Sequence, residues 1–342
     1  MPQARKPFVR RRGDRTQSVR RTFQAAFLLL NLWIGVQFYL FVRHYETSGA
    51  TLAVARPPGV EGWLPIAALM NLKYLLVTGT MPEVHPAGLF LLLAFLGISI
   101  AFRKAFCSWL CPVGTVSEWL WQGGRAIFGR NFAPPRWLDI PLRGLKYLLL
   151  AFFAWAILGM SAAALADFMT SPYGLVADVK MLNFFRDLGT VGAAVVLGLV
   201  VLSVFVKNAW CRYLCPYGAL LGLAALPSPT RIRREPDACI DCAKCAKACP
   251  SLIPVDRLLS VKTAECLGCL ECVAVCPVEG ALDLSVARRR RVPLAVTACG
   301  IAVIFLALVG LARVTGHWHT SVPEPVYRSL IPQASSFGHP GM

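Results

Sequence analysis

The chain has 342 residues, of which 56% are hydrophobic and only 15% charged. This balance excludes an ordinary soluble globular protein and is typical of a chain that lies largely in lipid. The net charge of +17 would normally raise nucleic acid as a partner, but its distribution along the chain, described below, leaves no residues for that role.

Five apolar segments are near the ~20 residues that a membrane-spanning helix needs. They run from Thr22 to Phe41, Ala87 to Ala105, Leu145 to Ala166, Thr190 to Val206 and Val292 to Ala312. Residues 1–21 carry eight Lys and Arg residues, so we expect a basic, disordered tail. A further apolar segment, Trp63 to Thr78, contains Pro65, Asn71 and Lys73, and we expect it to be interfacial or re-entrant on the outer side.

Lysine and arginine are distributed unevenly over this topology. With the N-terminus assigned to the cytoplasm, 28 of the 35 lie in inner segments and 7 in outer ones. Such a bias follows the positive-inside rule, and it predicts a multi-pass protein of the bacterial inner membrane with a periplasmic C-terminus. The positive excess is then explained by topology and by contact with anionic lipid headgroups.

Eight cysteines between the fourth and fifth segments form two copies of C-x-x-C-x-x-C-x-x-x-C-P. In this bacterial spacing three close thiolates bind one [4Fe-4S] cluster and the fourth binds the other. The pattern assigns Cys239, Cys242, Cys245 and Cys276 to the first cluster, and Cys266, Cys269, Cys272 and Cys249 to the second. Structural zinc is the alternative, but zinc gives no reason for two identical quartets each closed by Cys-Pro. Disulfides are disfavoured because the topology places these thiols in a reducing compartment.

A second repeat is not explained by the ferredoxin motifs. A shift of 104 residues aligns RKAFCSWLCPVG, which starts at Arg103, with KNAWCRYLCPYG, which starts at Lys207. We expect each spanning helix to continue to its second cysteine, with both cysteines on one face, and proline to open a new short element. The cysteines expected to meet at the inner membrane surface are Cys107, Cys111, Cys211 and Cys215.

Three interpretations of these four cysteines are open from the residues alone. They bind a further cluster or another metal, they are redox-active dithiols, or they are buried structural cysteines, since free cysteine often packs as a small apolar residue. Duplication of the whole C-x-x-x-C-P-x-G unit weighs against the third interpretation. The thirteenth cysteine, Cys299, is solitary, and we expect it to serve only in packing.

The predicted fold is mainly α: a bundle of about five transmembrane helices with an inserted cytoplasmic α+β domain like a two-cluster ferredoxin. The predicted domains are a basic cytoplasmic tail (1–21), a four-span membrane domain (22–229), the ferredoxin-like domain (230–287), a fifth transmembrane helix (288–313) and a periplasmic tail (314–342).

The pair FCSWLCPVG and WCRYLCPYG, followed by two ferredoxin motifs, resembles the polyferredoxin membrane proteins that include NapH, MauN, YccM, the C-terminal half of NosR, and CcoG. The resemblance covers roughly residues 22–291. It implies membrane-bound electron transfer between the quinone pool or a cytoplasmic donor and a respiratory or periplasmic redox partner, as in a quinol dehydrogenase subunit. The alternative is a copper reductase or a factor that assembles a metalloenzyme.

Oxidation of a quinol also needs proton acceptors. All five histidines fall on the predicted outer side, and the predicted spans contain none, so axial ligands for a haem are missing. Candidate acceptors are His44, Asp167, Asp178, His317 and His319. Each is more simply a polar residue near lipid headgroups, and the sequence defines no quinone site.

Overall fold

The computed structural model describes residues 9–10, 13–286 and 290–339. Parts of both predicted tails and of the junction before the fifth span therefore lie outside the described residues. The α-helices are α1 (Thr16–Glu46), α2 (Pro65–Thr78), α3 (Pro86–Phe102), α4 (Ala105–Trp109), α5 (Pro112–Phe128), α6 (Arg136–Gly159), α7 (Ala162–Thr170), α8 (Pro172–Leu175), α9 (Ala177–Arg186), α10 (Thr190–Phe205), α11 (Ala209–Tyr213), α12 (Pro216–Ala224), α13 (Lys244–Ala248), α14 (Glu271–Ala274), α15 (Leu294–Val314) and α16 (Glu324–Leu330). The strands are β1 (Arg231–Arg234) and β2 (Leu282–Ser285), and short 3-10 helices lie at Pro58–Trp63, Val255–Arg257 and Ile331–Gln333.

The chain forms two compact units, each built from three stretches of sequence. Unit 1 comprises Met1–Leu28, Phe95–Leu150 and Gly198–Ile304, and unit 2 comprises Leu29–Ala94, Ala151–Leu197 and Phe305–Met342. All thirteen cysteines belong to unit 1 and all five histidines to unit 2. The predicted ferredoxin segment lies wholly within unit 1, so its surroundings can be described there.

Apolar helices of spanning length are present, as the composition predicts. Among the described residues three helices, α1, α6 and α15, are long and apolar enough to cross a membrane. The helices α9 and α10 reach that length only together and are bent by 82°. Two more apolar helices, α2 and α3, have 14 and 17 residues. The membrane character of the chain is thus confirmed, whereas the count of five spans stays a prediction.

The first helix begins six residues earlier than we expected. Its N-terminus is fixed at Thr16, whose backbone N–H donates to Asp14 Oδ1 at 2.7 Å. The prediction of a disordered tail as far as residue 21 is therefore wrong for Thr16 to Arg21. The physical reason is Arg20, which is fully buried and paired with two carboxylates, so this part of the chain is held by charge.

The third predicted span is also displaced along the sequence. Instead of running from Leu145 to Ala166, α6 ends at Gly159, because Ser161 caps the next helix through its Oγ, which accepts from Ala164 N at 3.1 Å. The ammonium group of Lys73 on α2 donates to three carbonyls at the end of α6, which satisfies groups that a helix C-terminus leaves unpaired. Lys73, one reason for not predicting a span at residues 63–78, is thus a helix cap.

Unit 2 contains a buried charge network that sequence analysis did not find. The guanidinium of Arg56 donates to Asp178 Oδ2 at 2.7 Å and to Glu61 Oε1 at 2.7 Å. His85 completes the group, with Nδ1 3.6 Å from Glu61 Oε1 and Nε2 3.0 Å from the carbonyl oxygen of Gly174. Glu61, His85 and Asp178 are each at most 2% exposed, so these charges depend on one another.

His85 is held in this network at a conformational cost. Its φ of 54° lies in the left-handed region, which is uncommon for a residue with a side chain. The side-chain amide of Asn71 donates to the carbonyls of Val84 and His85 at 2.9 and 3.0 Å and so fixes the backbone there. Burial opposes its charge, but Glu61 and Asp178 outweigh that effect and raise the pKa of His85 above its ordinary value of 6.5. Arg56 and His85 lower the pKa of Glu61 in the same way.

We expect the stability of unit 2 to fall on both sides of neutrality. Because the pKa of His85 is raised in the folded protein, its contribution is complete below pH 6.5 and is lost as pH rises through the folded value. Because the pKa of Glu61 is lowered, its contribution is present above pH 4.5 and is lost as pH falls through the folded value. Both losses of stability can be measured as a loss of protection from hydrogen–deuterium exchange at residues 56–88, after correction for the pH dependence of the intrinsic exchange rate.

The variant His85→Gln should abolish the loss of protection on the alkaline side. The exposed His319 of the same unit provides the control, and His319→Gln should leave the alkaline profile as in the parent protein. An unchanged alkaline profile in His85→Gln would contradict the assignment.

Candidate functional site

The ferredoxin segment of unit 1 is closed by its two strands. Strand β1 pairs with β2 in antiparallel register, from Arg231 opposite Ser285 to Arg234 opposite Leu282. A two-stranded sheet is marginal by itself, and the chain between the strands forms only one-turn helices and loops. Between its ends, therefore, the segment has little regular structure to hold the two cysteine motifs.

The two cysteine motifs have the same backbone shape. In the first, the residues on either side of the second cysteine, Asp241 and Ala243, have φ of 53° and 54°. In the second, Gly268 and Leu270 flank the second cysteine with φ of 61° and 58°. A left-handed backbone costs a residue with a side chain roughly 1–2 kcal/mol, so its repetition at matching positions marks a specific loop geometry. A short helix, α13 or α14, follows each loop and carries the third cysteine.

Each predicted quartet lines a cavity of its own. The first cavity is lined by Cys239, Cys242, Cys245 and Cys276, and the second by Cys249, Cys266, Cys269 and Cys272. Each has about 370 Å³ between its lining atoms and about 20 Å³ that the centre of a water molecule can occupy. Each cavity is therefore lined by three cysteines of one motif and the fourth cysteine of the other, while their binding of clusters stays a prediction.

The two quartets differ in their exposure. In the second quartet Cys249, Cys266 and Cys272 are buried, whereas Cys242 of the first is exposed. Burial raises the pKa of the Cys249 and Cys272 thiols, which favours the protonated form unless a metal displaces the proton. In the described ranges no group of three or more His, Cys, Asp or Glu side chains is placed to hold a single metal ion.

The second repeat folds as two similar helix–turn–helix units, but not as we predicted. The apolar helices α3 and α10 end before the cysteines, at Phe102 and Phe205, and separate five-residue helices, α4 and α11, carry the first cysteine of each pair. The expectation that one helix continues to Cys111 or Cys215 is therefore wrong. In the first copy the break is Arg103, whose φ is 61° and whose guanidinium donates to the carbonyls of Ala225 and Thr263.

The second cysteine of each pair caps the helix that follows. Cys111 Sγ accepts from Gly114 N at 3.5 Å, and Cys215 Sγ accepts from Gly218 N at 3.2 Å. In both copies proline is the first helical residue, as the sequence predicts, because its fixed φ suits that position and its missing N–H is not needed there. Backbone N–H groups and the positive end of the helix dipole thus face both sulfurs, which favours a thiolate.

The four cysteines of this repeat lie near one another. A charge on Cys111 or Cys215 raises the pKa of both Cys107 and Cys211, so the sulfurs are within electrostatic range. Burial is the largest cause of the raised pKa values, and it raises the pKa of Cys111 to about 11. The ring of Tyr217 lies edge-on to Phe106, 6.2 Å between centroids, on the apolar side of this group.

A buried lysine, Lys104, places a positive charge near the four sulfurs. Lys104 is 2% exposed, and within the described part of the chain no residue forms a hydrogen bond or an ion pair with its ammonium group. Its charge acts on Cys107, Cys211 and Cys215 and lowers their pKa against the effect of burial. Lys104 also lowers the pKa of the Glu265 carboxylate, so its charge acts on both this carboxylate and the sulfurs. A buried positive charge beside four cysteines fits an anionic group held by thiolates, such as an iron–sulfur cluster.

The segment that carries the second motif is bound to its surroundings by further charges. Lys146 Nζ lies 2.6 Å from Glu265 Oε2, and Tyr147 Oη donates to Glu265 Oε1 at 2.9 Å. On the other side of the loop, Arg20 lies 2.8 Å from Glu271 and 2.5 Å from a carboxylate oxygen of Glu118. Glu265, which precedes the first cysteine of the motif, is therefore paired with the buried Lys146. Glu271, which precedes the third cysteine, is paired with the buried Arg20.

Sequence analysis did not identify the residues of this charged shell. Arg20 was placed in the tail, and Lys104 and Lys146 contributed only to the count of inner positive charges. The only signal in the sequence was the presence of basic residues close to the cysteine motifs. This signal is weak because the membrane topology explains the basic residues equally well. The carboxylate partners of Arg20 and Lys146 lie 98 to 251 positions away in the sequence, a separation that local patterns do not report.

Two family models match the chain. One, described as a 4Fe-4S binding domain, matches residues 84–133 and 188–235, which contain the two copies of the C-x-x-x-C-P repeat. The other, described as a 4Fe-4S dicluster domain, matches residues 231–287, which contain both ferredoxin motifs. No solved structure matches the chain.

Several curated proteins are similar to the chain. The chain is 52% identical to YccM of Escherichia coli K12, named as a candidate electron transport protein, over 94% of this chain and 91% of that one. It is 32% identical to the methylamine utilization ferredoxin-type protein MauN of Paracoccus denitrificans over 49% of this chain and 56% of that one. It is 30% identical to the regulatory protein NosR of Pseudomonas aeruginosa over 55% of this chain and 26% of NosR. The extent of the match to YccM, together with both family models, shows that the chain belongs to the membrane-bound ferredoxin-type family of 4Fe-4S proteins.

Proposed function

We propose that this membrane protein transfers electrons through three [4Fe-4S] centres, two in the ferredoxin segment and one at the C-x-x-x-C-P repeat. The carrying observation is the sorting of eight cysteines into two cavities of equal size, each lined by one complete quartet. Bound clusters supply one-electron chemistry, while the protein supplies thiolate ligands, insulation and position.

The first centre is ligated by Cys239, Cys242, Cys245 and Cys276, and the second by Cys249, Cys266, Cys269 and Cys272. Two observations support this assignment beyond the cysteine count. The left-handed residues around Cys242 and Cys269 curl both loops in the same way, and both cavities admit little water. Exclusion of water stabilises a bound cluster and shifts its reduction potential.

The third centre is ligated by Cys107, Cys111, Cys211 and Cys215. This choice among the three interpretations is supported by the proximity of the four sulfurs, by the helix N-termini that face two of them, and by the buried ammonium of Lys104, whose charge acts on the sulfurs. The family model that covers both copies is described as 4Fe-4S binding.

The partners of this electron path are the quinone pool or a cytoplasmic donor on one side and a respiratory or periplasmic redox protein on the other. The charge bias of the sequence supports an inner-membrane location with the ferredoxin segment in the cytoplasm. The name of the relative YccM, a candidate electron transport protein, agrees with this class of function. The five scattered outer methionines give no support to the alternative of copper reduction.

A groove in unit 1 is the proposed binding site for a small amphipathic redox partner such as a quinone. It lies at the start of α1 and α15, beside Leu270 and Val273 of the second motif, and water can enter about 510 Å³ of it. Small-molecule sites have volumes of roughly 300–1,000 Å³. Its walls combine apolar residues, including Leu294, with charged ones, including Arg291, which lies 3.1 Å from Asp283. Oxidation of a quinol there would release two electrons to the clusters and two protons to the water that enters the groove.

The iron content of the full-length protein tests the third centre. Anaerobically purified protein should contain about twelve irons and about twelve sulfides, and the variant Cys211→Ser should contain about eight of each. The control is Cys299→Ser, because Cys299 is also a cysteine of unit 1 but is exposed and lies outside every motif. A parent protein with about eight irons, or an unchanged count in Cys211→Ser, would refute the third centre.

The groove is tested by oxidation of the dithionite-reduced protein with a short-chain ubiquinone or menaquinone analogue, followed by optical absorbance. Leu294→Trp fills the groove without changing its charge, and we expect oxidation to slow by about tenfold or more, which corresponds to about 1.4 kcal/mol. The control is Leu306→Trp on the same helix, where the parent side chain is 64% exposed. Equal rates in both variants would remove the groove as the quinone site, and no reaction with either quinone in the parent would remove quinone as a partner.

A further inference from the structure

The two cysteine systems of unit 1 are joined by direct hydrogen bonds. Ser108 Oγ donates to the carbonyl oxygen of Leu267 at 2.7 Å, and Trp109 Nε1 donates to that of Gly268 at 3.1 Å. Ser108 and Trp109 lie between the two cysteines of the first C-x-x-x-C-P copy, and Leu267 and Gly268 lie between the first two cysteines of the second motif. The contacts therefore link the interior of one ligand loop to the interior of another.

This contact is closely packed. Trp109 is fully buried, and Ser108 is 4% exposed. Gly268 has φ of 61°, and a Cβ atom there would lie 2.6 Å from the carbonyl oxygen of Phe102, so the position admits only glycine without a shift of the backbone. The two loops thus approach each other as closely as their backbones permit.

The same contact is reinforced from α1. Arg20 Nη1 and Gln24 Nε2 donate to the carbonyl oxygen of Ser108 at 3.1 and 3.0 Å, and Gln17 Nε2 donates to that of Cys269 at 3.0 Å. One helix therefore binds both loops at once. The rate of electron tunnelling falls steeply with distance and with gaps in the packing. A rigid contact of this kind therefore favours electron transfer between centres bound by the two loops.

The second copy of the repeat does not use the equivalent positions in this way. There, Arg212 and Tyr213 replace Ser108 and Trp109, and both contact Asp139 of α6, at 2.6 and 2.8 Å. The contact with the second motif is thus a property of particular residues rather than a consequence of the repeated fold. At the other motif, Cys242 is exposed, so the first centre lies nearer to solvent.

We propose that Ser108 and Trp109 are positioning residues that make the second centre the electron partner of the C-x-x-x-C-P centre, with the first centre as the solvent-side terminus. The inference rests on the proposed function, because it requires a centre at the repeat. In the exchange one electron leaves one centre and enters the other, and no covalent bond is made or broken. Electrons therefore follow the order first centre, second centre, repeat centre, or the reverse.

The test uses anaerobic full-length protein and the variants Ser108→Ala and Trp109→Phe, which remove the two donors and keep most of the side-chain volume. Electron paramagnetic resonance of the dithionite-reduced protein measures the magnetic interaction between centres. Rapid-freeze sampling after mixing with substoichiometric dithionite measures the rate at which they equilibrate. We expect an unchanged iron content, a weaker interaction and a several-fold slower equilibration. The matched controls, Ser18→Ala and Trp119→Phe at exposed positions, should behave as the parent.

The possible failures are distinguishable. A parent protein with about eight irons would refute the repeat centre and with it the proposed function on which this inference rests. About twelve irons in all proteins, with interaction and rate unchanged in both Ser108→Ala and Trp109→Phe, would overturn the bridge alone. If Trp109→Phe loses iron, Ser108→Ala decides, because its change of volume is the smaller of the two.

Discussion

Neutralisation of buried charge around the sulfur ligands is the constraint on which unit 1 depends. Thiolates that hold iron are anionic, and a buried anion is unstable without compensation. The chain supplies Arg20, Lys104 and Lys146 in positions with almost no exposure, two of them already paired with carboxylates of the second motif. The membrane helices therefore contribute more than an anchor, because they provide the charges that a sulfur-ligated centre needs.

Buried charges are also compensated in unit 2, where no cysteine is involved. There, Arg56 compensates Glu61 and Asp178, and His85 accepts a strained backbone in order to complete the network. Removing one partner from a buried ion pair typically costs about 3–5 kcal/mol, so such networks tolerate little change.

Much of the chemistry could be predicted from the sequence, and less of the geometry. The eight ferredoxin cysteines are specific because their spacing is short, and local spacing is what a sequence displays directly. The caps formed by Cys111 and Cys215 follow in part from the prolines after them. The break at Gly159 was missed because apolar residues continue on both sides of it, and the break at Arg103 was missed because the carbonyls that hold its side chain belong to Ala225 and Thr263, 122 and 160 positions away. Arg20 shows the same limit: its role is set by Glu118 and Glu271, and no local pattern records that pairing.

The central claim is that twelve cysteines of unit 1 are ligands of three cubane clusters. An anaerobic electron cryo-microscopy map of the full-length protein in detergent or nanodisc tests it most directly. The account predicts three compact densities of four irons each, in the two cavities of the ferredoxin segment and among Cys107, Cys111, Cys211 and Cys215, with every one of the twelve sulfurs bonded to iron. A map of iron-replete protein in which either cavity holds no cluster, or in which the four cysteines of the repeat are unligated, would contradict it.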